Sequence, residues 1–175
     1  LQESIRKAWC WVHVRRDFRN VLPMPKCQKW AKWWLEEIAI LFVLTEKRYR
    51  LWEKNKTLGR AWDTAQTEIE NQIERLKWRW QAELNKPGLH DEQKKILRSL
   101  KKHWAGLTIF VQDPRVPLHN NRAERLLRNA VILRKNSFGS GSQWSGGSAA
   151  KLFSIFQTWL INGLDPQALL LDYFE

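Results

Sequence analysis

The sequence predicts a mainly α-helical fold with a minor β part. Three observations predict it. Apolar residues recur at intervals of three and four through most of the chain. Glycine and proline clusters break that pattern into discrete segments. One short stretch near the start alternates instead, with Trp9, Trp11 and His13 interleaved with Ala8, Cys10 and Val12.

Taken in order, Ile5 to Val14 reads as a strand. Both of its faces are apolar, as in a central strand. Arg15, Arg16 and Arg19 then open a short helical or turn segment that ends near Pro23 and Pro25. From about Cys27 to Glu53 the period is helical, carried by Trp30, Trp33, Trp34, Ile38, Leu41, Phe42, Tyr49 and Trp52. Gly59 interrupts the polar run that follows. A second long helix is expected from about Arg60 to Asn85, with Ala61, Trp62, Ala65, Ile69, Ile73, Leu76 and Trp80 as its stripe. Lys86-Pro87-Gly88 stops it. His90 or Asp91 opens a third helix to about Phe110, with Ile96, Leu97, Leu100, Trp104 and Leu107 inward. Three amphipathic helices with short connections describe a helical subdomain, or a coiled-coil surface for another chain.

The stretch Asp113–Ser137 organises the rest. Asp113-Pro114 and Val116-Pro117 keep the backbone extended, because a residue before proline is pushed out of the helical region. Asn120 or Asn121 then caps a helix. With Asn121 as the cap, Glu124 sits three residues on and completes a capping box. Ala123, Leu126, Leu127, Ala130 and Val131 form its apolar stripe, flanked by Arg122, Arg125 and Arg128. Asp113–Lys135 holds six basic residues and two acidic ones. A Gly/Ser stretch, Gly139–Ser148, reads as a flexible loop or hinge; it lacks the lysine of a phosphate-binding P-loop. A closing helix spans roughly Ser148–Ile161, with Leu152, Phe153, Phe156 and Trp159 inward. Asn162-Gly163 ends it, and Asp165-Pro166 starts a last short helix.

The chain has 175 residues and a net charge of +12, a balance suited to polyanions. The alternative is a solvated basic surface without a partner. Two cysteines make no disulfide framework. Cys10-x-x-His13 could open a zinc site, but no second ligand pair follows, so buried structural roles are expected for Cys10 and Cys27. The twelve tryptophans sit mostly on helical stripes, which makes them core residues first and base-stacking platforms second. No apolar run approaches the ~18 residues of a membrane span. A soluble, cytoplasmic protein is expected. The opening on Leu1 suggests a piece of a longer protein or an unusual start codon.

The segment NNRAERLLRNAVILRKNSFGSGS resembles the C-terminal signature of the insertion sequence 66 family of bacterial transposases, of the DDE class. CWVHVRRDF (Cys10–Phe18) resembles that family's Cys-Trp-x-His-x-Arg-Arg-x-Phe segment. GGSAAKLFSIFQTWLINGLDPQALLLDYF resembles its closing helix and its Asn-Gly-x-x-Pro step. The resemblance covers about the first twenty and last sixty residues and is architectural between them.

The resemblance implies the C-terminal portion of a ribonuclease H-like fold carrying a helical insertion. Residues 1–25 would be the last core strand and its turn, 26–112 the insertion, and 113–175 the Glu-bearing helix, Gly/Ser loop and closing helices. It implies Mg²⁺-dependent phosphodiester cleavage and strand transfer, in which two aspartates and a helix-borne glutamate hold two metal ions. The glutamate falls on Glu124, making it the candidate catalytic and metal-binding residue. The family's two aspartates lie upstream of the segment that Cys10–Phe18 resembles, so this chain contains neither. Asp17, Asp63, Asp91 and Asp113 do not replace them. The chain alone is therefore expected to be inactive or nearly so.

DNA of the transposon ends is the implied partner. A homo-oligomer and accessory proteins of the same element are further candidates. Candidate phosphate contacts are Arg15, Arg16, Arg122, Arg125, Arg128, Arg134 and Lys135. Spacing alone gives Glu124 a plainer role, as a capping residue paired with Arg128 one turn on. The rival readings are a non-catalytic basic nucleic-acid-binding protein and a decayed remnant.

Overall fold

The structure is a computed structural model. It describes residues 7–54, 59–136 and 141–174, the side chains of Arg122 and Ala123 excepted. Eight helices are formed by the described residues: α1 (Trp11–Asn20), α2 (Pro25–Glu53), α3 (Arg60–Leu84), α4 (Asp91–Leu107), α5 (Ile109–Gln112), α6 (Asn121–Asn136), α7 (Gln143–Ile161) and α8 (Pro166–Phe174). The chain divides into two compact units, Leu1–Asn120 and Asn121–Glu175.

In the first unit, α2 and α3 form a long antiparallel pair. The direction follows from its cross-links. Trp34 meets Glu83, Glu37 meets Gln72, Lys47 meets Glu68 and Arg48 meets Gln66, so position rises on one helix as it falls on the other. Pro25 occupies the first position of α2, where its missing N–H costs nothing. Gly88, at φ +80°, turns the chain between α3 and α4. His90 then starts α4 with reciprocal caps: its Nδ1 accepts from Glu92 N at 3.3 Å, and Gln93 Oε1 accepts from His90 N at 3.0 Å.

One core holds these helices. Trp11 and Phe18 of α1, Trp34, Ile38 and Leu41 of α2, Ile69 and Leu76 of α3, and Leu97, Leu100 and Leu107 of α4 are buried in it. Tryptophans dominate the packing, as their helical spacing predicts. Phe18 stacks on Trp34 at 5.0 Å between ring centroids, and Trp104 lies against both Trp80 and Trp11. Exceptions are Trp9, Trp78 and Trp144, at 46%, 70% and 81% exposure.

Charged side chains are also drawn into this core. Glu83 is buried and accepts from Trp30 Nε1 at 2.7 Å, from Trp34 Nε1 at 3.1 Å and from Arg79. Glu37 accepts from Gln72 and from Arg75. Arg48, 1% exposed, donates to the carbonyls of Phe110 and Val111 and to Gln66 Oε1. These partners answer the charges that burial strips of water, while Arg48 Nε is left buried without an acceptor among the described residues.

The predicted strand is not formed. Lys7–Cys10 is extended, but α1 begins at Trp11, and no strand exists among the described residues; Ile5 and Arg6 lie outside them. The residues that alternate also place Trp11, Val14 and Phe18 at i, i+3 and i+7. That helical stripe wins because it puts Trp11 and Phe18 into the core. The extended residues instead dock on α4 and the segment after α5. Trp9 N donates to Gly106 O at 3.1 Å, Trp11 N to Leu118 O at 2.9 Å, and Trp11 Nε1 to Leu107 O at 2.8 Å.

Gly106 permits this approach. A Cβ there would lie 2.2 Å from Trp9 Cδ1 and 2.4 Å from the Lys7 carbonyl oxygen. Gly106→Ala should therefore lower stability by ~1–3 kcal/mol despite the better helix propensity of alanine, because the extended segment must leave α4. A urea midpoint at or above that of the parent chain would show that the close approach does not hold.

The second unit is built differently. Ser142 Oγ caps α7 by accepting from Ser145 N at 3.1 Å. The predicted loop over Gly139–Ser148 is therefore helix from Gln143 onward, with Gly146 and Gly147 inside it; Gly139 and Ser140 lie outside the described residues. Gly163, at φ +73°, ends α7, and Asp165 Oδ1 accepts from Gln167 N at 2.9 Å to start α8. No described side chain of this unit is buried. Phe153, Phe156 and Trp159 are half-buried, whereas Leu152, expected inward, is exposed.

Candidate nucleic-acid interface

The approach to α6 is fixed by its own turn chemistry. Asp113 Oδ1 accepts from Arg115 N at 3.0 Å, and its carboxylate takes the Arg115 guanidinium at 2.9 and 2.8 Å. That hydrogen bond and charge hold the Arg115 pKa above its ordinary value. Val116 N returns to Asp113 O at 3.1 Å, closing a turn, and Leu118 is then buried in the core of the first unit. Asp113 is thus a turn residue, as its place before Pro114 suggests.

Asn121 is the first helical residue of α6 and not the cap before it, so Glu124 does not stand three residues after the cap as the expected capping box requires. Glu124 still falls in the first turn, where the helix dipole favours a negative charge. One surface groove follows the helix. It is lined by Asn121, Glu124, Arg125, Arg128, Val131, Ile132 and Lys135, and has a volume of about 500 Å³. Residues three, four and seven apart share a helix face, which is why these side chains converge.

Three candidate phosphate-binding residues, Arg125, Arg128 and Lys135, therefore lie along one groove with Glu124. Arg134 is exposed on α6 but does not line it. The side chain of Arg122 lies outside the described residues. Arg15 and Arg16 are exposed on α1, in the other unit.

Among the described residues, Glu124 is the only carboxylate lining the groove, beside three cations. A two-metal centre needs several carboxylate oxygens around each ion. The groove by itself does not supply that donor set, and its chemistry is that of a cationic surface complementary to phosphate. The apolar stripe of α6 is open as well, with Leu127 62% and Leu133 50% exposed.

The first unit contains a second concavity, of about 480 Å³. Cys10, His13 and Asp17 of the α1 region line it together with Ser99 and His103 of α4. Trp9 covers His103, ring centroids 4.3 Å apart. Cys10 is half-buried here, whereas Cys27 is fully buried among core side chains; burial, with a smaller contribution from Glu92, pushes the Cys27 thiol above its ordinary pKa. Both cysteines are free. The buried structural role expected of the pair holds for Cys27 and only in part for Cys10.

A cationic groove on a basic helical chain is complementary to phosphate in its chemistry. The comparison with known proteins is more specific. The model of the transposase IS66 family matches residues 1–148, so the chain belongs to that family. Among curated proteins it is similar to two uncharacterized proteins of Sinorhizobium fredii. It is 30% identical to y4hP, over 94% of this chain and 31% of that protein, and 26% identical to y4jD, over 98% and 32%. The chain thus spans about a third of the length of the curated relatives it matches. No solved structure matches it. No described helix is long and apolar enough to cross a membrane.

Proposed function

We propose that this chain is the C-terminal part of a DDE-type transposase catalytic domain, acting in DNA transposition. The observation that carries the reading is the family match over residues 1–148, which takes in α6 and Glu124. The groove along α6 supports it, because Arg125, Arg128 and Lys135 line it beside that carboxylate. In this reading the cations hold the phosphate backbone of a transposon end. Glu124 is one of the carboxylates that hold Mg²⁺ in a protein of the relatives' full length. Bound there, the metal supplies charge stabilisation for in-line displacement at a phosphodiester. The ribonuclease H-like core belongs to the same proposal.

For the chain by itself the reading is narrower. One groove carboxylate cannot hold two metal ions, so the 175-residue chain binds DNA without cutting it. This is the first thing to test. Duplex DNA should bind with an affinity that falls steeply as salt rises, and added Mg²⁺ should produce no strand cleavage. Replacing Arg125 and Arg128 by Gln should make the salt dependence shallower by about 2 on a log–log scale, at ~0.9 for each phosphate no longer neutralised. Binding that ignores both salt and these substitutions would remove α6 as the DNA surface.

A further inference from the structure

Charge in the first unit is unevenly placed. On the second half of α2 and on α3 many cations face acids: Lys47 meets Glu68 at 2.7 Å, Arg50 meets Glu46 at 3.0 Å, and Lys77 meets Glu74 at 3.1 Å. Beyond the first turn of α4 this balance stops. Asp91 and Glu92 reach Lys94 and Lys95 at 3.4 and 3.8 Å, and no further acid occurs before Asp113. Lys95, Arg98, Lys101 and Lys102 are all exposed. Among the described residues, Arg98, Lys101 and Lys102 take part in no ion pair.

Helix geometry gathers these four on one side. Ile96, Leu97, Leu100 and Leu107 face the core, and at about 100° per residue the four cations fall on the opposite face. From Lys95 to Lys102 the stripe runs about 10 Å along the axis. Like charges at i,i+3 (Lys95–Arg98, Arg98–Lys101) and i,i+4 (Arg98–Lys102) each disfavour the helix. The helix dipole compensates only cations in the last turn, and none of the four lies there. A polyanion laid along the stripe would relieve the repulsion.

The face also says which polyanion. No large hydrophobic side chain of α4 is exposed. It therefore offers no aromatic platform for unstacked bases and no apolar anchor of the kind a protein interface needs. A convex row of long cations fits the phosphate backbone of a duplex.

We propose that the outer face of α4, through Lys95, Arg98, Lys101 and Lys102, is a second, sequence-independent docking surface for double-stranded DNA. It lies on the unit that does not carry Glu124. The proposal rests on the reading of the chain as a DNA-handling transposase part and adds a separate DNA-binding face to it.

The test uses the full 175-residue chain and a mixed-sequence duplex, with affinity followed by fluorescence anisotropy across a salt series. One variant carries Lys95→Gln, Arg98→Gln, Lys101→Gln and Lys102→Gln, which keep helix propensity. A control carries Lys47→Gln, Arg50→Gln and Lys77→Gln on α2 and α3. The α4 variant should flatten the log–log salt slope by about 3 to 4 and weaken binding at least about tenfold at low salt, while the control leaves the slope unchanged. A parent chain that binds no duplex overturns the functional reading and this surface with it. A parent that binds, with the same slope in the α4 variant, overturns this surface alone. Equal flattening in variant and control also overturns it, because net charge and not this face would then be responsible.

Discussion

Arg48→Met should destabilise the first unit by about 3 kcal/mol or more, one of the largest single-residue effects in the chain. Arg48 sits on α2 with 1% of its surface exposed, and its guanidinium serves the carbonyls of Phe110 and Val111 at the end of α5. Helix ends leave carbonyls without intrahelical partners, and these two are inside the protein. Methionine fills a similar volume but offers no donor. The buried Phe110 carbonyl then loses its side-chain donor and the Val111 carbonyl one of two, and an unsatisfied buried acceptor costs ~1–3 kcal/mol. Gln66 softens the loss at one of them, since its Nε2 also donates to Val111 O at 3.0 Å.

Burial lowers the Arg48 pKa from its ordinary value, and the charges of Asp113 and Glu70 push it back up. The side chain stays cationic in the working range, so no pH step is expected from it. Arg48→Lys should recover only part of the loss, because one ammonium cannot reproduce a planar fork aimed at two carbonyls. Urea denaturation read by tryptophan fluorescence measures the difference. A loss below about 1 kcal/mol for Arg48→Met would mean that the end of α5 finds other donors.

Arg48 also marks where sequence reading stops. On α2 it falls among Glu46, Lys47 and Arg50, a run that looks like a solvated face. Nothing in its spacing separates the buried cation from its exposed neighbours. Glu37 and Glu83 are hidden in the same way: periodicity reports apolar residues, and a buried charge is legible only once its partner on another helix is known. The long helices were legible because their apolar stripes run for many turns. The expected ranges from about Cys27 to Glu53 and from about Arg60 to Asn85 agree closely with α2 and α3.

Short segments were not legible to the same degree. Over Ala8–Val14 a strand and a helix both place apolar residues inward, and only the packing of Trp11 and Phe18 decides. Over Gln143–Ser148 two glycines argued against helix, and the cap from Ser142 with the helix beyond it overrode that preference. Around α6 the row of cations and the first-turn carboxylate were legible from spacing. That Arg134 leaves the groove while Lys135 lines it was not. The cations of α4 drew no attention in the sequence, because they become a surface only when the opposite face of the helix is seen buried.

Glu124→Gln, made in a protein of the relatives' full length, should reduce strand transfer by about a thousandfold or more while leaving DNA affinity within about threefold. The substitution is nearly isosteric. Glutamine keeps the helix, since its propensity is close to that of glutamate. What it removes is one negative charge and, in the proposed reading, a ligand for a hard divalent cation. Metal stabilisation of a phosphoryl transition state amounts to several kcal/mol, and about 4 kcal/mol corresponds to three orders of magnitude in rate. In the proposed reading affinity moves little, because the phosphate contacts assigned there to Arg125, Arg128 and Lys135, which line the groove, are left in place. Removing an acid from a cationic groove should even favour DNA slightly. A residue that only supported the first turn of α6 would give the opposite pattern, a few tenths of a kcal/mol in stability and unaltered chemistry. Strand transfer assayed beside thermal melting of the same variant separates the two. Retained activity would leave Glu124 a first-turn helix residue and send the search for the metal-holding carboxylate elsewhere in the chain.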